Sequence, residues 1–242
     1  MQDGRWQRRF LAADFVLSFM WVWSGVLVTI FVQKLIGYGA HQLEGDVVRY
    51  AISILNMFFF AFMSKVTKGG AYNPLTVLAD AVLGDFSNFL FTVGARIPAQ
   101  VVGSVYGVRL ILNTLHGMVH GPRLTVDIAK GALTEGFLTF GIVIITLGLS
   151  RPGSRGFLMN TWISCTSKLS LHILGSDLTG GCMNPAAVMG WAFAQGEHIT
   201  KEHLVVYWLA PVLATLAAVW VFNIIAKPTT GEAPKAKPGK SD

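Results

Sequence analysis

Charge is scarce in this chain: Asp, Glu, Lys and Arg make up 13% of its 242 residues, while 52% are hydrophobic. With a mean hydropathy of +0.53, that composition excludes an ordinary soluble domain and indicates an integral membrane protein in contact with lipid. Cysteine is nearly absent. Cys165 falls within an apolar run and Cys182 beside an Asn-Pro pair, so there is neither a disulfide framework nor a metal-ligand spacing. No metal and no cofactor are expected. Catalytic signatures are missing as well: Asp80 and Asp85 stand without the "GxGD" of an intramembrane aspartyl protease, and no His-rich constellation or nucleophile elbow occurs. An intramembrane enzyme is disfavoured, and no catalytic residue is assigned. The net charge of +6 does not indicate nucleic acid, because the basic residues sit in short segments between apolar runs rather than on one face with stacking aromatics.

A cleaved leader is not indicated at the start. The first apolar run follows Arg5, Arg8 and Arg9 but is too long and lacks a small-residue cleavage site, so it is expected to be a membrane span. A helix needs roughly 20 mostly apolar residues to cross the hydrocarbon. Six stretches qualify: 11–33, 47–66, 87–112, 128–149, 157–176 and 204–225. If the N-terminus, the second and fourth connections and the tail share one side, that side collects eleven Lys and Arg against six on the other. The positive-inside rule then makes both termini cytoplasmic. Residues 1–10 are read as a cytoplasmic N-terminus, and the Pro-, Gly- and Lys-rich tail, 227–242, as disordered.

Two segments break the apolar pattern in matching ways: "GGAYNPLTVLAD" (69–80) and "GGCMNPAAVMGWAF" (180–193). Each Asn-Pro pair is followed by only about ten helix-compatible residues, half the thickness of a bilayer. Asp14 aligns with Glu135 at an offset of 121, and Asn73 with Asn184 at 111. The chain is therefore a duplication, with a first repeat of about 11–113 and a second of about 125–226. Each repeat holds three spans, so the second enters from the opposite side and the repeat is inverted. The two half-helices then dip in from opposite faces and meet near the midplane. Non-helical backbone at that depth is tolerated only when buried in protein or lining a wet cavity, which points to a water-accessible path. Asn suits the N-cap and Pro the first helical position. Both positive dipole ends would face the centre of the path and discourage cations there, with the Asn amides turned towards the passing molecule.

Two Asn-Pro half-helices, six spans and acidic residues in spans one and four resemble the aquaporin (major intrinsic protein) family over about residues 10–226. Leu75 stands where Ala is common in the first motif. That "NPL", the small size and the basic tail resemble the second type of plant small basic intrinsic protein. The resemblance implies an all-α membrane fold with an inverted three-plus-three repeat, passage of water or small neutral solutes, a homotetramer and residence in the endoplasmic reticulum. A KDEL-type or dilysine address is missing from the C-terminus. The motif residues are Asn73, Pro74 and Leu75, then Asn184, Pro185 and Ala186. The family's outer filter falls on Ser53, His172, Gly181 and Ala187; the usual arginine is absent at the last. Asp14 and Glu135 are expected behind the pore wall, holding backbone N–H groups of the re-entrant loops.

Lys168 lies four residues before His172, one helical turn away on the same face. It is expected to line the pore just inside the filter or, failing that, to pair with a carboxylate or carbonyl inside the bundle. Cys182 is either reachable from the pore or an inert buried thiol. Gly103, Ser104 and Gly107 suggest a close-packing face on span three, and Trp21 and Trp23 are read as lipid or packing aromatics. A transport-deficient scaffold or a partner of other membrane proteins is the alternative to a channel.

Overall fold

The computed structural model describes residues 3–39, 42–115, 120–151 and 155–226, so the tail at 227–242 lies outside the described residues. Ten α-helices run in the order α1 (Asp3–Ile30), α2 (Leu43–Val66), α3 (Pro74–Leu83), α4 (Phe86–Phe91), α5 (Ile97–Thr114), α6 (Ile128–Ser150), α7 (Phe157–Gly175), α8 (Pro185–Gln195), α9 (Lys201–Leu204) and α10 (Ala210–Ile225). π-helical turns extend α1 over Phe31–Ile36, join α4 to α5 over Thr92–Arg96 and join α9 to α10 over Val205–Leu209.

By length and apolarity alone, four stretches among the described residues can cross a membrane: Gly4–Ile36, Leu43–Val66, Ile128–Ser150 and Lys201–Ile225. The third and fifth spans complete the six. They are less apolar for a reason: α5 and the turn before it carry Arg96, Gln100 and Arg109, and α7 carries Asn160, Lys168 and His172. Helix α1 starts eight residues before the apolar run, because Arg and Gln are good helix formers; hydropathy marks hydrocarbon, not the end of a helix.

The halves repeat in their packing. In the first, α1 packs on α5; in the second, α6 packs on α10. A Cβ on Gly103 would collide with the Phe15 carbonyl, and one on Gly107 would meet Val22 and Phe19, so the small residues on α5 let two backbones approach. The halves then interlock: half-helix α8 packs on α5, half-helix α3 on α10, and α2 on α7. Each half thus surrounds the other's re-entrant element, which brings both Asn-Pro turns to the middle.

Candidate transport pathway

Each half-helix begins as its sequence dictates. Asn73 and Asn184 have extended backbones and cap the helices through their side-chain oxygens, accepting from Leu75 N (3.0 Å) and Ala187 N (3.3 Å), with Pro74 and Pro185 in the first turn. The amide nitrogens do something the sequence did not suggest. Asn73 Nδ2 donates to the Met183 carbonyl (2.7 Å) and Asn184 Nδ2 to the Tyr72 carbonyl (3.2 Å). One hydrogen of each amide is thus spent across the junction rather than on a passing molecule. Asn73, Asn184 and Leu75 are all buried.

The loops before the asparagines are tied by the two carboxylates. Glu135 takes Thr179 Oγ1 (2.7 Å) and Cys182 N (2.8 Å) on one oxygen and Met183 N (2.9 Å) on the other. Asp14 accepts from Ala71 N (2.7 Å) and is also bound bidentately by Arg96, at 2.7 and 3.0 Å. Arg96 in turn donates to the Gly69 carbonyl (2.6 Å). At the corresponding place in the second half, Tyr207 donates its hydroxyl to the Thr179 carbonyl (2.8 Å). Arg96 and Tyr207 both sit in π-helical turns, and neither stood out in the sequence. Met183 has a left-handed backbone, φ +46°, a strained state for a side-chain-bearing residue that Glu135 and Asn73 hold from both ends.

Two cavities open on either side of this junction. The inner one, about 550 Å³, lies where α2 and α6 end and α7 begins, and is lined by Tyr72, Asn73, Leu75, Asp80, Asn160 and Ser164 among others. The outer one, about 850 Å³, lies where α1 ends. Met57, Lys168 and Met183 line both. Ser53, His172, Gly181 and Ala187 all line the outer cavity, as does Cys182. Ser53 Oγ donates to the Arg49 carbonyl (2.8 Å), and His172 Nδ1 lies 3.1 Å from the Gly181 carbonyl. Gly181 has φ +52°, and a Cβ there would collide with the His172 carbonyl, so glycine is what lets the loop lie against α7. Arg49 also lines the outer cavity but is paired to Asp46 at 2.8 Å.

Lys168 bonds to neither a carboxylate nor a carbonyl among the described residues. Its Nζ lies 3.3 Å from the Tyr72 hydroxyl and over the rings of Trp21 (4.8 Å) and Tyr72 (5.0 Å). Those rings stack at 4.1 Å between centroids and 14° between planes. Trp21 packs on Phe60 and Tyr72, in keeping with its reading as a packing aromatic, and also lines the outer cavity. Hydropathy could not separate a Trp that faces lipid from one that faces a wet cavity.

The family profile described as "Major intrinsic protein" matches residues 4–222. The chain is 56% identical to "Probable aquaporin SIP2-1" of Arabidopsis thaliana, over 94% of this chain and 96% of that protein. It is 45% identical to "Aquaporin SIP2-1" of Oryza sativa subsp. japonica (93% and 90%) and 34% identical to "Aquaporin SIP1-1" of Zea mays (96% and 97%). Among solved structures, the aquaglyceroporin from Plasmodium falciparum shares the fold, with a TM-score of 0.66 over 92% of this chain and 96% of that one, at 17% identity. With its two capped half-helices and inverted halves, the chain belongs to the major intrinsic protein (aquaporin) family, as a small basic intrinsic protein of the second type.

Proposed function

We propose that this chain is a passive channel for water and small neutral solutes, with a path that runs from the inner to the outer cavity past the two half-helix N-termini. One observation carries the reading: the asparagine-capped N-termini abut, and a cavity opens on either side of them with Met57, Lys168 and Met183 common to both. Family membership and the aquaporin names of the relatives support the same class of solute movement. Ser53, His172, Gly181 and Ala187 act as the filter. Three small side chains and one imidazole leave it wider than a filter with an arginine, because a guanidinium both fills volume and carries charge. Asp14 and Glu135 hold the loops, and Cys182 borders the path. The working unit is a homotetramer with the channel domain at 11–226, residing in the endoplasmic reticulum with both termini cytoplasmic.

Purified protein in vesicles tests this. Osmotic swelling in water, and uptake of a neutral solute such as glycerol, should exceed those of empty vesicles. Folded protein at verified density with no flux for either would leave a scaffold with the fold but not the transport. Protease protection of terminal tags in microsomes checks the orientation separately: both tags should be digested without detergent.

A further inference from the structure

The seam between the cavities is built from repeat-equivalent positions, of which only one is charged. Met57 and Lys168 each stand sixteen residues before the asparagine of their own half, and Tyr72 and Met183 each stand directly before it. An inverted repeat brings such pairs around one axis. The first half therefore supplies a thioether where the second supplies an ammonium. That ammonium is docked on the Trp21–Tyr72 stack and the Tyr72 hydroxyl, and Phe60 packs edge-on against both rings at 5.1 Å. Ring faces hold a cation without cancelling it. A carboxylate would cancel it, as Asp46 does for Arg49 in the outer cavity. Among the described residues Lys168 has no carboxylate partner, so its charge stays in force at the seam. The positive ends of α3 and α8 add to it.

We propose that Lys168 is the charge-selecting residue of the pathway, turning back small cations at the seam in place of the arginine missing at position 187, while water and neutral solutes pass beside Met57 and Met183. Trp21 and Tyr72 are positioning residues: a lysine stem is flexible, and the aromatic pair fixes where its charge stands. The assignment rests on the channel reading above.

The test measures water flux, glycerol uptake and the leak of potassium and methylammonium in the same vesicles. Lys168→Met installs the residue that the first half already carries at the equivalent position. It should raise the ratio of cation leak to water flux about tenfold or more, the scale of removing one unpaired charge from a narrow, partly dry passage. Lys168→Arg should keep the wild-type leak, and Trp21→Leu should raise it part of the way by freeing the ammonium. A wild type that passes neither water nor glycerol overturns the channel reading and this assignment with it. A conducting wild type beside a folded Met variant with unchanged cation leak overturns the assignment alone. If the Met variant does not fold, Lys168→Gln is measured in its place. Failure of both beside a folding Arg variant makes Lys168 a structural tie, which also overturns the assignment.

Discussion

Asn73 and Asn184 brace each other: the side-chain amide of each donates to the backbone carbonyl directly before the other, at 2.7 Å and 3.2 Å. Each residue therefore does two jobs, its oxygen capping its own half-helix and its nitrogen tying the opposite loop. Asn73→Asp separates the two. The carboxylate still caps α3 and suits its dipole, but the donor to Met183 is lost and two acceptors face each other. The expected loss is about 1–3 kcal/mol, the cost of a buried group left unpaired, with helix content unchanged. Thermal melts in detergent with circular dichroism check it; a melt equal to wild type means that the brace contributes nothing.

The two loop clamps should fail unequally. Asp14 is fully buried beside Arg96, whose side chain is 13% exposed, so Asp14→Asn strands a guanidinium and should cost about 3–5 kcal/mol. Glu135→Gln keeps one acceptor oxygen but turns an amide NH₂ towards donors, which should cost about 1–3 kcal/mol. Melting the two variants side by side tests the order. A Gln variant less stable than the Asn variant would contradict the account of Arg96 as the source of the difference.

Gly181→Ala should damage both folding and selectivity. The new methyl group would collide with the His172 carbonyl on a backbone at φ +52°, pushing the loop off α7 and parting two residues of the proposed filter. Overpacking of this kind costs about 1–3 kcal/mol. The ratio of glycerol uptake to water flux should shift along with the melting temperature. A variant with both unchanged would mean that the loop yields without moving the filter.

Ala187→Arg should narrow the outer cavity that Ala187 lines. Uptake of glycerol and larger neutral solutes is expected to fall, with water flux falling less, because the guanidinium adds bulk and a fixed charge. Unchanged solute uptake by a folded variant would show that position 187 does not border the path.

What could be read without coordinates was local or periodic. Four of the spans follow from strong hydropathy and the third and fifth from weaker apolar runs, the half-helices from Asn-Pro after paired glycines, and the inversion from an odd number of spans per repeat. Each depends on neighbours a few residues apart or on one motif recurring in register. The carboxylates Asp14 and Glu135 were legible because a buried charge needs a reason, and the filter positions because a family resemblance carried their spacing. Only the tertiary structure decided which groups those charges meet. The braces join residues 110 and 112 apart in the chain, and Arg96 reaches Asp14 across 82. Tyr72 and Trp21 come to border the proposed pathway only because α7 delivers the ammonium of Lys168 to their stack across 96 residues from Tyr72. The chain's apolar pattern determines what enters the membrane. Which polar atoms then satisfy one another is decided by how two inverted halves interlock, since hydrocarbon offers buried polar groups no partner but the rest of the protein.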